Sequence, residues 1–422
     1  MREMKDSGFK WIGNIPNDWE IKRIKNFILE SVNIKRGAKE TDVLSLGVKG
    51  VSIKQDLSFG MNPTNYNDHN LVAKGQYVIC LRDLDGPLLC GISQYDGCLS
   101  ALYYVLVLDE ENINKVFFNY VMKTMDNTRV IDAYSYGMRH SYNLLQFGNL
   151  RIPVPNLSEQ KKIAGYLDRK CGEIDSVMAD LQEQIDKLEQ YKRSVISETV
   201  TKGLNPKATM KNSGIEWLGE TPVNWTTQKA KYCFCARRSK GNRICLQLLS
   251  PTQKFGVIPQ SEYEKLTTQV TVKVNEKTEL RTFKTIHKGD FCISLRSFEG
   301  GFEYSDYEGV VSPAYTVFYP IMETDRRYYK YLFKTKIFIY EMNSYSLSLR
   351  DGKPISFDDF GNTFIPVPPL QEQREISDYL DEKCAEIESI IADKKQQLEV
   401  VENYKKSLIY EYVTGKKEVV DE

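Results

Sequence analysis

Apolar residues recur at alternating spacings of four and three along residues 158–201. Leu167, Cys171, Ile174, Met178, Leu181, Ile185, Leu188 and Val195 mark the stripe. That period belongs to a helix with a coiled-coil seam. Pro153 and Pro155 precede the run and cannot lie inside a helix, while Gly203 and Pro206 end it. About 44 residues at 1.5 Å each predict a rod of roughly 66 Å. The pattern returns at Leu380, Cys384, Ile387, Ile391, Leu398, Val401 and Leu408. Lys394 falls where the second copy should match Leu181, so the seam is expected to weaken there. A seam needs a partner. The other copy in the same chain is favoured over a second molecule, because linkage raises its effective concentration.

Outside these stripes the pattern shortens. VLSLGV, YVICL and LYYVLVL read as strands in the first half, and TVKV, FCISL and AYTVFY in the second. Val116–Lys123 and Arg327–Tyr340 carry helical spacing. Glycines punctuate the intervening loops. The expected fold is therefore a mixed α/β (α+β) globular domain, used twice and joined by two long helices. Those helices should pair as an antiparallel intramolecular coiled coil, giving a pseudo-twofold.

The duplication is explicit in the residues. KDSGFKWIGNIPNDW, from Lys5, matches KNSGIEWLGETPVNW, from Lys211, at 7 of 15 positions. Residues 152–201 match 365–414 without a gap at 27 of 50 positions, including IPVP, the EQ pair and YLD. The similarity between these blocks is weaker, although KGQYVICLR faces KGDFCISLR. A unit of about 210 residues is too long for a solenoid repeat, so the repeat is a duplicated domain pair. The expected boundaries are 1–150 and 205–362 for two variable regions, and 151–204 and 363–422 for two similar regions that carry the helices.

Composition narrows the chemistry. The 422 residues hold 57 Lys+Arg and 57 Asp+Glu, for a net charge of zero. Neutrality is uneven: residues 211–362 carry 22 basic and 17 acidic side chains, and 363–422 carry 8 and 14. An acidic helix suits protein docking better than phosphate contact. Nine cysteines with no Cys-x-x-Cys pair fit reduced thiols in a cytoplasmic protein. Three histidines, His69, His140 and His287, leave little material for a multi-His metal site. No stretch is apolar enough to span a membrane, and MREMKDSGFKW lacks a signal-peptide core.

Catalytic signatures do not assemble. No G-x-x-x-x-G-K-[ST] phosphate loop occurs, and nothing fits an Asn-Pro-Pro-Tyr methyltransferase motif. Glu20-Ile21-Lys22 mimics part of a nuclease metal site, but its counterpart Thr226-Thr227-Gln228 has no acid. Material for nucleic-acid contact is present instead. Lys35, Arg36 and Lys39 cluster in the first variable region, and Arg237, Arg238 and Arg243 at the corresponding place in the second. Polar aromatic segments contain Arg139, His140 and Asn143, and Arg350 and Lys353. Arg82 and Arg296 each end a strand before a glycine-containing loop. Such side chains neutralise phosphate and read base edges. Each one alone could simply solvate a surface.

The SG-x-x-W-x-G-x-x-P-x-x-W opening, the I-P-x-P-x-x-x-E-Q entry to a long helix, and the duplication of both resemble the DNA-specificity subunit of type I restriction–modification systems. The resemblance covers essentially the whole chain. It implies two target recognition domains, each reading one half of a split double-stranded DNA sequence, with the helices as spacer. It implies docking of two modification (M) subunits, which carry S-adenosylmethionine and methylate adenine, and of two restriction (R) subunits, which use ATP and Mg. It implies no catalysis and no cofactor in this chain. A scaffold that assembles partners without touching DNA, and a self-sufficient methyltransferase or nuclease, are the competing readings.

Overall fold

The computed structural model describes residues 2–37, 39–55, 66–130, 141–240, 247–267, 282–294, 301–345 and 355–420. The chain divides into two compact units, residues 1–182 with 395–422, and residues 183–394. The division cuts both long helices, Leu157–Lys202 and Leu370–Val413, so each unit owns a globular region and a segment of each helix.

In the first unit a four-stranded antiparallel sheet runs in the order Ile28–Val32, Tyr104–Leu108, Tyr77–Ile79, Cys90–Ile92. Strand alternation sends its side chains into two cores. Tyr77, Ile79 and Leu106 enter one with the helix Lys115–Asn127. Val78 and Val105 enter the other, with Leu44, Leu46, Val72 and Leu99 from two small two-stranded ladders. Asn114 caps that helix by accepting from the backbone N–H groups of Val116 and Phe117. Buried Phe117, Phe118, Val121, Met122 and Met125 hold its inner face.

The second unit repeats the order: Phe234–Ala236, Thr316–Pro320, Phe291–Ile293, Phe302–Tyr304. Phe291, Ile293 and Phe318 face one core, and Cys292 and Val317 the other. The helix expected over 327–340 is two helices, Arg326–Leu332 and Lys336–Ser344. Thr335 breaks the run. Its hydroxyl accepts from the Phe338 N–H and donates to the Leu332 carbonyl at 2.7 Å, so it caps the second helix while closing the first. The strand expected at TVKV lies outside the described residues.

Both long helices contribute to each unit. In the first, Ile163, Leu167, Cys171 and half-buried Ile174 share a core with Leu408, Ile409, Tyr412 and Val413. Lys405 crosses to Asp175 at 2.5 Å. In the second, Ile185, Ile387 and Ile391 form a seam with Leu188. There Lys394 donates to Gln184 at 2.6 Å and Lys192 pairs with Glu388. Numbers rise on one helix as they fall on the other, so the pairing is antiparallel and within one chain. Leu181 is buried, and Met178, Leu398 and Val401 are half-buried. Leu380 joins the globular core of the second unit.

Candidate nucleic-acid interface

Each globular region is fixed to a long helix by the residues of the repeated sequence blocks. In the first unit the buried Trp19 donates from Nε1 to Glu159 Oε2 at 3.2 Å, and in the second Trp225 donates to Glu372 Oε2 at 2.7 Å. The neighbouring glutamine is the second tie. Gln160 Oε1 accepts from the Asn114 N–H at 2.7 Å, and its amide donates to the Pro155 carbonyl at 2.9 Å. Gln373 accepts from the Asp325 N–H at 3.0 Å and donates to the Pro368 carbonyl at 2.8 Å. The glutamine thus joins the cap of the region's helix to the entry of the long one. A third tie is Tyr120 to Asp168 at 2.8 Å, matched by Tyr331 to Asp381 at 2.6 Å. Burial, and then the carboxylate, push both phenols well above the usual tyrosine range, so each stays a donor. Finally Glu20–Arg23 pairs with Arg151–Val154, and Thr226–Lys229 with Phe364–Val367.

Each basic run contains a lysine at a matching place. Lys35 makes an isolated antiparallel bridge to Asn70, and Lys240 makes the same bridge to Lys284. Lys35 Nζ also donates to Asn70 Oδ1 at 2.9 Å. Next to it the Arg36 N–H donates to the His69 carbonyl at 2.8 Å, and the enclosed Arg36 Nε has no hydrogen-bond partner. Burial lowers the His69 pKa, and the positive charges of Arg36, Lys35 and Lys54 add to the effect. The Tyr66 ring meets His69 edge-on at 5.0 Å. Lys39 is exposed. His69, Asn70, Lys54 and Lys284 are members of these sites that sequence reasoning missed. The signal for His69, Asn70 and Lys284 is the shared Lys-Gly turn downstream, which aligns NLVAKG with KTIHKG; Lys54 has none.

Other candidates are placed differently. Arg237 is committed to a nearly enclosed carboxylate: Nε and Nη2 donate to Asp290 at 2.7 and 3.0 Å, with Asp290 only 1% exposed. Its guanidinium also lies 4.4 Å from the Tyr319 ring centre. Asn143 forms a capping box with Gln146 at the start of the helix Leu144–Gly148. Arg82 and Arg238 are exposed. Arg139, His140, Arg243, Arg296, Arg350 and Lys353 lie outside the described residues. Glu20, the mimic of a metal ligand, is paired with Lys22 at 2.6 Å. Among the described residues no group of three or more His, Cys, Asp or Glu could hold a metal ion, and no helix is long and apolar enough to cross a membrane.

The family model for the type I restriction modification DNA specificity domain matches residues 16–187 and 247–400. The type I restriction enzyme MjaVIII specificity subunit of Methanocaldococcus jannaschii is 23% identical over 99% of this chain and 97% of its own length. The MjaX specificity subunit assigned to the same organism is 22% identical over 98% and 97%. A chain from a solved structure concerned with complex assembly and conformational transition of the type I R-M system aligns with a TM-score of 0.68 at 14% identity. The alignment covers 96% of this chain and 99% of that one, and the likeness is one of fold. The duplicated regions, the paired helices and the family match together make this chain a member of the type I restriction–modification DNA specificity family.

Proposed function

We propose that this chain is the non-catalytic, sequence-reading subunit of a type I complex, and that each unit reads one half of a split duplex DNA sequence. The observation that carries the reading is the repeated docking of two dissimilar regions, each with a basic run that includes the same bridge. Phosphate contact falls to Lys35, Arg36 and Lys39 in one region, and to Arg238, Lys240 and Arg243 in the other. Arg82, Arg139, His140, Asn143, Arg237, Arg296, Arg350 and Lys353 remain candidates for further DNA contact. The capping role of Asn143 and the carboxylate on Arg237 count against those two.

The paired helices act as spacer and dock two M subunits, with two R subunits completing the nuclease. S-adenosylmethionine, ATP and Mg belong to those partners, and the complex works in the cytoplasm. The excess acid after residue 363 supports protein docking by the second helix rather than phosphate contact. Because the two regions differ in sequence, the half-sites should differ. The test is to exchange residues 20–150 for another recognition region. One half-site should change while the other persists, and a change in both would refute modular reading.

A further inference from the structure

We infer that the segment following the second long helix is a positioning element of the first recognition region, with Lys416 as its holding residue. The inference rests on the DNA-reading role proposed above. It starts from the turn that opens the first unit. Ser7 N–H donates to the Gly13 carbonyl at 3.2 Å, and Ile12 and Gly13 N–H groups both donate to Phe9. This fold seats Ile12 fully in the core, with Phe9 and Trp11 packed against it. It also leaves the Ile12 and Asn14 carbonyls pointing at one ammonium. Lys416 Nζ donates to Ile12 O at 2.7 Å and also to Asn14 O.

Two further contacts seat the same segment. Gly415 has φ +70, and a Cβ there would stand 2.4 Å from Pro16 Cδ and 3.3 Å from the Trp19 ring. Only glycine fits that approach. Val419 packs against the same core as Trp19. The tryptophan that hydrogen-bonds the first long helix is thus backed by residues about 400 positions away.

The second unit shows what this replaces. Its turn has the same bonds, Ser213 N–H to Gly219 O and Gly219 N–H to Ile215 O, both at 2.9 Å. Gly203, with φ +75, lies against Trp225 as Gly415 lies against Trp19. There the helix end runs through residues 204–209 straight into the strand Met210–Asn212. Peptide bonds hold the turn beside the helix end. In the first unit side-chain contacts do that work, and a charged donor on two carbonyls makes stronger hydrogen bonds than a neutral one would.

The experiment uses the full chain with its M partners and three variants: Lys416→Met, Lys416→Arg, and a chain ending after Thr414. Amide exchange at residues 7–14 should speed up roughly tenfold or more in Lys416→Met and in the shortened chain, and less in Lys416→Arg. The matching turn at 213–219 should not change. Competition binding with duplexes altered in one half-site should show about tenfold weaker discrimination at the half-site read by residues 20–150. Discrimination at the other half-site should be intact. Unchanged exchange at 7–14, or equal loss at both half-sites, would overturn the inference. If the unaltered chain discriminates neither half-site, the DNA-reading role fails instead, and exchange at 7–14 still decides the fate of the clasp.

Discussion

Aliphatic side chains take most of the main-core sheet positions in the first unit, and phenylalanines take them in the second. At matching ladder positions Ile28, Tyr77, Leu106 and Cys90 become Phe234, Phe291, Phe318 and Phe302. The second core is an aromatic lattice in which Phe291 stacks on Phe318 at 5.4 Å and meets Phe234 edge-on at 5.8 Å. In the first, Tyr77 meets Phe118 edge-on at 5.1 Å. Charge follows the same divide. Arg237 stands where the first unit has Val32, and Asp290 where it has Gln76. Gln76 accepts from the Ala73 N–H and Asp290 from the His287 N–H, so the turn is kept while an ion pair is added. Strand order thus depends on where apolar residues fall in the two-residue period, not on their shape. Contacts to the long helices do not drift in this way, because they set how each region sits on its helix.

Four sets of substitutions sharpen the contrast. The largest effect belongs to the shared contacts. Trp19→Ala and Trp225→Ala should each cost about 3–5 kcal/mol, confined to their own unit, as read by unit-resolved hydrogen exchange. Equal loss in both units from either variant would dissolve the division. Next comes the ion pair. Arg237→Val leaves Asp290 buried without its guanidinium and should cost about 3 kcal/mol, while adding Asp290→Gln, the first unit's solution, should recover most of it in thermal unfolding.

Glu303 gives a smaller, pH-dependent effect. It is fully buried against Lys334 at 2.6 Å, and burial raises its pKa to about 6 in spite of that ammonium. The folded unit then binds this proton more tightly than the unfolded chain does. The stability it contributes is fully present below about pH 4.5 and is lost as pH rises through about 6, amounting to about 2 kcal/mol. In Glu303→Gln that slope should vanish from melts taken across this window. A slope of unchanged size would assign it to other groups. The tyrosine ties give the smallest effects, and Tyr120→Phe should cost about 1 kcal/mol. Tyr331→Phe should cost less, because Arg327 also holds Asp381, at 2.9 Å.

Regular periods and repeated residues were legible in the sequence. The long helices, most strands and the duplication follow from spacing that any local window contains. The Trp and Glu-Gln positions stood out as repeated, although their pairing did not, because it joins residues 140 apart. Side-chain partnerships were hidden for the same reason. Arg237 looks like a phosphate ligand until Asp290, 53 residues on, is folded beside it. The break at Thr335 was hidden because Phe333 and Phe338 keep the run apolar across it. Lys394 reads as a gap in the seam, and Gln184 turns it into a polar contact.

The central claim is that two unlike regions on one chain read two unlike half-sites at a fixed spacing. Mapping adenine methylation in a cell carrying this chain and its M partner tests it most directly. The account predicts one methylated sequence made of two different short specific segments separated by a constant non-specific gap. A single uninterrupted sequence, two identical halves, or a gap that varies from site to site would contradict it.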